Sequence, residues 1–410
     1  MREQSWVAGP AILMLVLAAC SSDGTSDSPE AGDAEPADEQ TEPAEDAPDP
    51  VELPQAENSP KEDVPSALDD MNNPEFPEPL LDTADIMSGG PPPDGIPAID
   101  EPKFEKVEDV NWLEDTEAVL AVEINGDARA YPFRVMMWHE IVNDTVGDVP
   151  IAATYCPLCN SGVAFDRRVG DRVLDFGTSG RLHASNLVMY DRQTESLWPQ
   201  LTGEAAVGVM TGTQLDFIPI SPVGWADFRE AHPDGWVLSR DTGHSRDYGA
   251  NPYAGLDTDP NRDPAFGSTE DDDRLPPMER VIGVHGQDES VTIVRSDLAE
   301  AGVLTETLDG EPLVAFHADG QASALEAGSV SGGSDIGTVA VFDPTVEGEE
   351  LTFSKDGDMF TDEQTGSTWD IFGRAVDGPL EGERLDERPF IDTFWLTWLP
   401  ADPDTRIIGG

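Results

Sequence analysis

Asp191-Arg192-Gln193-Thr194-Glu195-Ser196-Leu197-Trp198 and Asp362-Glu363-Gln364-Thr365-Gly366-Ser367-Thr368-Trp369 carry Asp, Gln, Thr, Ser and Trp at the same spacing. An Asp followed by Thr is a turn signal, because the short carboxylate bonds the backbone of the residues after it. The Trp seven positions on supplies a large apolar body for a core. One local structure is therefore written twice, and the matches continue on both sides. Gly203, Ala205, Gly208, Gly212, Leu215 and Asp216 correspond to Gly373, Ala375, Gly378, Gly382, Leu385 and Asp386. Trp225, Pro233 and Asp234 correspond to Trp395, Pro403 and Asp404. Upstream, Val119-Leu120-Ala121-Val122 corresponds to Val281-Ile282-Gly283-Val284, and Pro150–Ala153 to Pro312–Ala315. Two homologous units follow. A two-fold duplication is not a solenoid, which needs more repeats.

Most segments read as short strands separated by turns. Ala118–Ile124 and Ala128–Phe133 flank Asn125-Gly126-Asp127, a strong hairpin signal. Gly162–Arg168 and Arg172–Phe176 flank Val169-Gly170-Asp171, a second one. Helical spacing is predicted over 134–142, and a Pro-initiated helix from Ser221. The fold class is thus α+β and β-rich: two mainly-β units of sandwich or small-barrel type.

The chain has 410 residues, with 83 acidic and 23 basic side chains and a net charge of −60. Nucleic acid is excluded as a partner, since phosphate recognition depends on Lys and Arg. Residues 21–70 hold 17 acids, eight prolines and a single base, Lys61. Such a segment has too little apolar surface to offset its ordering entropy. The predicted organisation is a signal peptide at 1–19, an acidic Pro-rich disordered tether at 20–93, a first unit at 94–245, an acidic linker at 246–275, and a second unit at 276–410. In the linker, Asp257, Asp259 and Asn261 resemble the start of a calcium loop. Arg262 stands where that loop needs Gly and Ser268 where it needs Glu, so a solvated acidic linker is the reading.

The chain has three cysteines. Cys20 follows the apolar run Val7–Leu17 and Ala18-Ala19, and that run is too short to span a bilayer. The stretch resembles the lipobox of bacterial lipoproteins. The resemblance implies cleavage before Cys20, lipidation of its thiol, and a chain anchored to the outer face of the cell membrane.

The other two stand together in Thr154-Tyr155-Cys156-Pro157-Leu158-Cys159-Asn160-Ser161-Gly162. Two thiols at this spacing close a disulfide, exchange one, or hold a soft metal such as copper or zinc. A thioredoxin-like pair needs a helix after the first Cys, and the residues that follow read as a strand. A metal site would recruit His139 and His183, with Glu140 orienting a histidine from behind. A structural disulfide would simply rigidify the turn. The second unit has Ala318-Asp319-Gly320-Gln321 in place of Cys156–Cys159, and no Trp-His-Glu opposite Trp138-His139-Glu140. The first unit is therefore the functional copy. The leading expectation is a soft-metal or thiol-redox site. The alternative is a non-catalytic binding or scaffolding lipoprotein with a structural disulfide.

Trp138-His139-Glu140-Ile141-Val142-Asn143-Asp144, Thr154–Cys159, Met189–Trp198, Tyr248–Tyr253 and Phe394–Trp398 together resemble the domain-of-unknown-function 3179 family. Its members are commonly exported bacterial and archaeal proteins. The resemblance implies the extent of the domain after residue 94 and no particular reaction.

Overall fold

The computed structural model describes residues 49–262 and 272–408. The signal peptide, Cys20 and the first part of the tether lie outside the described residues. Among the described residues no helix is long and apolar enough to cross a membrane.

Three sheets of four or more strands, with a two-stranded one of Arg168–Val169 and Arg172–Val173, make the described first half. Ser221–Gly224, Ala118–Ile124, Asp127–Pro132 and Trp236–Leu238 run side by side, extended by Lys103–Lys106 and Val51–Glu52. Phe217–Ile218, Ser161–Asp166, Val149–Cys156 and Ile141–Val146 form the second. Leu197–Pro199, Asn186–Asp191, Phe176–His183 and Met87–Ser88 form the third. The second half repeats the plan. Ile391–Phe394, Arg280–His285, Ser290–Val294 and Arg406–Ile408 make one sheet. Asp386–Glu387, Thr338–Asp343, Glu311–Ala318 and Val303–Leu308 make another. Phe353–Asp356, Met359–Asp362, Thr368–Trp369 and Ala375–Asp377 make the last. Every sheet is open, so the architecture is sandwich-like and no barrel closes among the described residues.

The helices fall at corresponding places: Phe133–His139 opposite Arg295–Ala301, and Trp225–Ala231 opposite Trp395–Ala401. Each is two turns long and survives by packing, since isolated helices this short do not hold in water. Sequence reasoning placed two boundaries wrongly. Residues 141–146 form a strand, because Glu140 ends the helix in a left-handed conformation. Ser221–Gly224 is also a strand, and the helix starts only at Trp225. Pro222 is tolerated there because its strand is the edge of the sheet.

The Asp–Trp motif works identically in both halves. Asp191 accepts from the Thr194 N–H at 2.6 Å and hydroxyl at 2.8 Å, and from Trp198 Nε1 at 2.9 Å. Asp362 accepts from the Thr365 N–H at 2.5 Å and hydroxyl at 2.9 Å, and from Trp369 Nε1 at 3.0 Å. Each buried carboxylate thus closes a turn and satisfies the one polar atom of a fully buried indole.

The disordered-tether expectation needs correction over 49–93. This part is a strap laid across the first half. Ser59 N–H donates to Val173 O at 3.0 Å, Glu62 N–H to Gln193 O at 2.8 Å, and Leu80 N–H to Ala206 O at 3.0 Å. Ala67 and Ile86 are buried beneath it with Val188 and Leu197. A few apolar residues and main-chain groups find partners on a preformed surface, which composition cannot register. The linker is likewise not simply solvated. Asn251 is buried, and Asp257 pairs with Arg280 at 2.6 Å. Residues 263–271 of it lie outside the described residues.

Asp191→Asn and Asp362→Asn would each turn an acceptor into a donor facing other donors. Each should lower stability by about 1–3 kcal/mol, read from urea unfolding at pH 7. An unchanged midpoint in both would contradict the role given to the carboxylates.

Candidate functional site

Cys156 ends the strand Val149–Cys156 and Ser161 opens the strand Ser161–Asp166, with the two residues paired across the hairpin. The connection is a tight turn. Cys159 N–H donates to Cys156 O at 3.3 Å, and Asn160 takes a left-handed φ of 56°. No helix starts here, so no helix dipole acts on the first thiol as it would in a thioredoxin-like site. Both cysteines are free and buried, at 2% and 0% exposure. They sit in a core cluster with Trp198, Trp395 and Trp398, drawn from both halves. The Cys159 carbonyl accepts from Thr393 Oγ1 at 2.8 Å, which ties the turn to the second half.

The polar surroundings of the two sulfurs differ. Burial alone would raise the Cys159 pKa. Against it stand the Cys156 thiol, Ser161 and Asn186, which bring the pKa below the ordinary thiol range. Asn186 Nδ2 donates to Cys159 Sγ at 3.2 Å, and Ser161 Oγ lies 3.1 Å from it. Cys156 is pushed well up by burial, by its bond to Cys159, and by the nearby charges of Cys159 and Glu140. Cys159 is therefore the member of the pair that loses its proton more readily.

Hydrogen counting shows how the site tolerates either state. Gln200 Oε1 accepts from Ser161 Oγ at 2.6 Å and from Asn186 Nδ2 at 2.8 Å. Gln200 is itself fixed by donating to Thr154 Oγ1 at 2.9 Å. Asn186 has two hydrogens and serves both Gln200 and Cys159. Ser161 has one. When Cys159 is a thiol it donates to Ser161, which donates to Gln200. When Cys159 is a thiolate, Ser161 turns its hydrogen to the sulfur, and Gln200 keeps its bond from Asn186.

Glu140 is the unusual neighbour. It caps the helix Phe133–His139 at φ 61°, where the second half has Gly302 at φ 75° after Arg295–Ala301. A left-handed backbone costs a residue with a Cβ roughly 1–2 kcal/mol that glycine avoids. Burial, and secondarily the charge of Cys159, raise the Glu140 carboxyl to about 8. It is thus a proton donor and acceptor near neutral pH beside two thiols. Tyr253 is close enough that its own upward shift is due first to burial and then to Glu140 and Cys156.

The histidines do not join. His139 Nδ1–H donates to Pro97 O at 2.7 Å, and its Nε2 accepts from the Tyr248 hydroxyl at 2.7 Å. Burial lowers its pKa to about 4, so the ring is neutral, and neither nitrogen has a lone pair left for a metal. Glu140 does not orient it. Pro97 and Tyr248 do. His183 lines a small pocket that Asn186 divides from the sulfurs. Among the described residues no three His, Cys, Asp or Glu side chains are placed to hold a metal. The expected copper or zinc centre of Cys156, Cys159, His139 and His183 is not assembled.

Sequence reasoning found Cys156, Cys159 and Glu140 but missed Ser161, Asn186, Gln200 and Tyr253. One signal was available. The hairpin Phe176–Asp191 is sixteen residues long against ten for Phe353–Asp362. The added length carries Ala184–Asn186 to the sulfurs, and Ser185 O lies 3.9 Å from Cys156 Sγ.

The raised Glu140 pKa has a sign. The folded state favours the protonated carboxyl, so its contribution is full below the ordinary value of 4.5 and is lost as pH rises to about 8. Glu140→Gln should therefore gain stability relative to the parent protein as pH rises over that window. Chemical unfolding under reducing conditions at both ends measures the difference. A difference independent of pH would contradict the raised value.

No curated protein and no solved structure matches this chain. A family model does, over residues 93–405, under the description "Protein of unknown function (DUF3179)". It covers most of the strands, the cysteine pair and Glu140, and the chain belongs to that family.

Proposed function

We propose that this chain is an exported lipoprotein whose globular part carries a dithiol–disulfide couple at Cys156 and Cys159. Cys159 is the reacting thiolate, Cys156 the second thiol, and Glu140 the group that takes or returns a proton. Closing the disulfide passes two electrons to an external disulfide or peroxide and releases the one proton of the pair, that of Cys156, to solvent. The observation that carries this reading is the convergence of Asn186, Ser161 and Cys156 on the Cys159 sulfur. A merely structural disulfide has no use for such donors, because a disulfide sulfur carries no charge. The second half supports the same view. It keeps the strands and replaces the reactive positions with Ala318, Gln321 and Gly302. Export and anchoring rest on Leu17-Ala18-Ala19-Cys20. Two or more acyl chains there would hold the protein stably at the outer face.

Equilibration in thiol–disulfide buffers, followed by acid quench, alkylation and intact mass, should show a reversible loss of two hydrogens. In Cys156→Ser, thiolate ultraviolet absorbance should place Cys159 at or below the ordinary range, and adding Asn186→Ala should raise it. A pair that never closes, or a Cys159 that titrates above ordinary thiols, overturns the reading. One equivalent of copper on the native protein, lost in Cys156→Ser, would replace it with a two-thiolate metal site. Cys20→Ala should leave the membrane fraction. If it stays there, the anchor lies elsewhere.

A further inference from the structure

A pocket of about 180 Å³ opens beside the cysteine pair. The strap contributes Leu80 and Leu81, the long hairpin His183 and Asn186, and the helix Trp395–Ala401 contributes Thr397 and Ala401. Asn186 is both a wall of this pocket and the donor 3.2 Å from Cys159 Sγ, so the pocket ends one side chain from the sulfur. Thr397 is 1% exposed, and its hydroxyl has no partner among the described residues. An unbonded buried hydroxyl on a pocket wall calls for a ligand oxygen or a water. The turn above the sulfurs is strained as well. Ala184 and Ser185 have φ of 48° and 63°, in a two-residue hairpin turn that ordinarily uses Asn and Gly. Strain of this kind persists where the surrounding structure holds it, and it gathers at functional sites.

Size limits what can arrive. A cavity of roughly 150 Å³ holds one benzene, so this pocket takes a molecule of a few heavy atoms. Disulfide exchange with a protein needs a partner sulfur to approach one of these sulfurs directly. Both are buried in a tryptophan-lined core, and a folded partner has no path to them.

We propose that this pocket admits a small hydroperoxide to Cys159, with Asn186 as the gate, so that the pair is oxidised by low-molecular-weight peroxide and not by a protein disulfide. The inference rests on the dithiol–disulfide reading. The Cys159 thiolate attacks one peroxide oxygen. The S–O bond forms and the O–O bond breaks. The departing oxygen takes a proton by way of the Thr397 hydroxyl and solvent, and leaves as alcohol or water. The Cys156 sulfur then attacks the sulfenic sulfur. The S–S bond forms, the S–O bond breaks, and the hydroxide leaves as water with the Cys156 proton. Two electrons pass from the sulfurs to the peroxide, and one alcohol or water and one further water are released.

The test uses the full reduced chain with hydrogen peroxide and tert-butyl hydroperoxide, quenched and read by intact mass. Both should convert it to the disulfide. Ala401→Phe fills the pocket from its rim and should slow tert-butyl hydroperoxide by about tenfold or more. The equilibrium midpoint in thiol–disulfide buffer should not move. Thr397→Val keeps the shape, removes the hydroxyl and should slow the reaction with no change in thermal unfolding. It serves if Ala401→Phe fails to fold. Unchanged peroxide rates in Thr397→Val and in any folded Ala401→Phe overturn the inference. So does faster oxidation by an oxidised Cys-x-x-Cys oxidoreductase than by peroxide. A pair that neither peroxide nor a thiol–disulfide buffer closes sinks the parent reading instead.

Discussion

A sulfur placed among Trp198, Trp395 and Trp398 carries charge only if donors meet it. That constraint organises the first half of the molecule. Cys159 is at the end of a turn that two strands hold rigid. Asn186 reaches it from a lengthened hairpin and Ser161 from the next strand, and Gln200 holds both of these in place. Each donor comes from a different strand or turn, so the arrangement exists only when the sheets are assembled. Glu140 pulls the other way. Its burial disfavours a second negative charge beside the first. The protonation states of Glu140, Cys156 and Cys159 are therefore coupled.

The second half shows what the fold requires without the cysteine pair. The strand Glu311–Ala318 repeats Val149–Cys156, and the helix Arg295–Ala301 repeats Phe133–His139. Its Asp362 turn repeats the Asp191 turn bond for bond. Yet Gly302 relaxes the backbone that Glu140 strains, and the hairpin Phe353–Asp362 is too short to reach the corresponding turn. The second half covers the pair instead. Thr393 donates to the Cys159 carbonyl, and the buried ion pair of Arg295 and Asp392 stands behind Asn160.

The strap and the inter-unit segment cover the site from outside. Both are acidic and proline-rich, and both carry just enough apolar and aromatic side chains to dock. Leu80 and Leu81 border the small pocket, Tyr248 fixes His139, and Tyr253 approaches Glu140. Composition averages over a segment and hides such anchors. Their energy comes from a surface formed by residues far away in the chain.

Sequence alone determined the strand-rich class, the hairpin at Asn125-Gly126 and the Asp–Trp turns. These depend on local chemistry: turn residues, alternation, and a carboxylate reaching a few positions along its own chain. It also singled out Cys156, Cys159 and Glu140, because the internal comparison lacks them. Only the tertiary structure decided that His139 and His183 stand apart from the sulfurs, that Cys159 loses its proton more readily than Cys156, and that residues 49–93 are a strap. The reason is physical. The protonation state of a buried group depends on donors brought together from strands distant in sequence, and their convergence is a property of how the sheets pack.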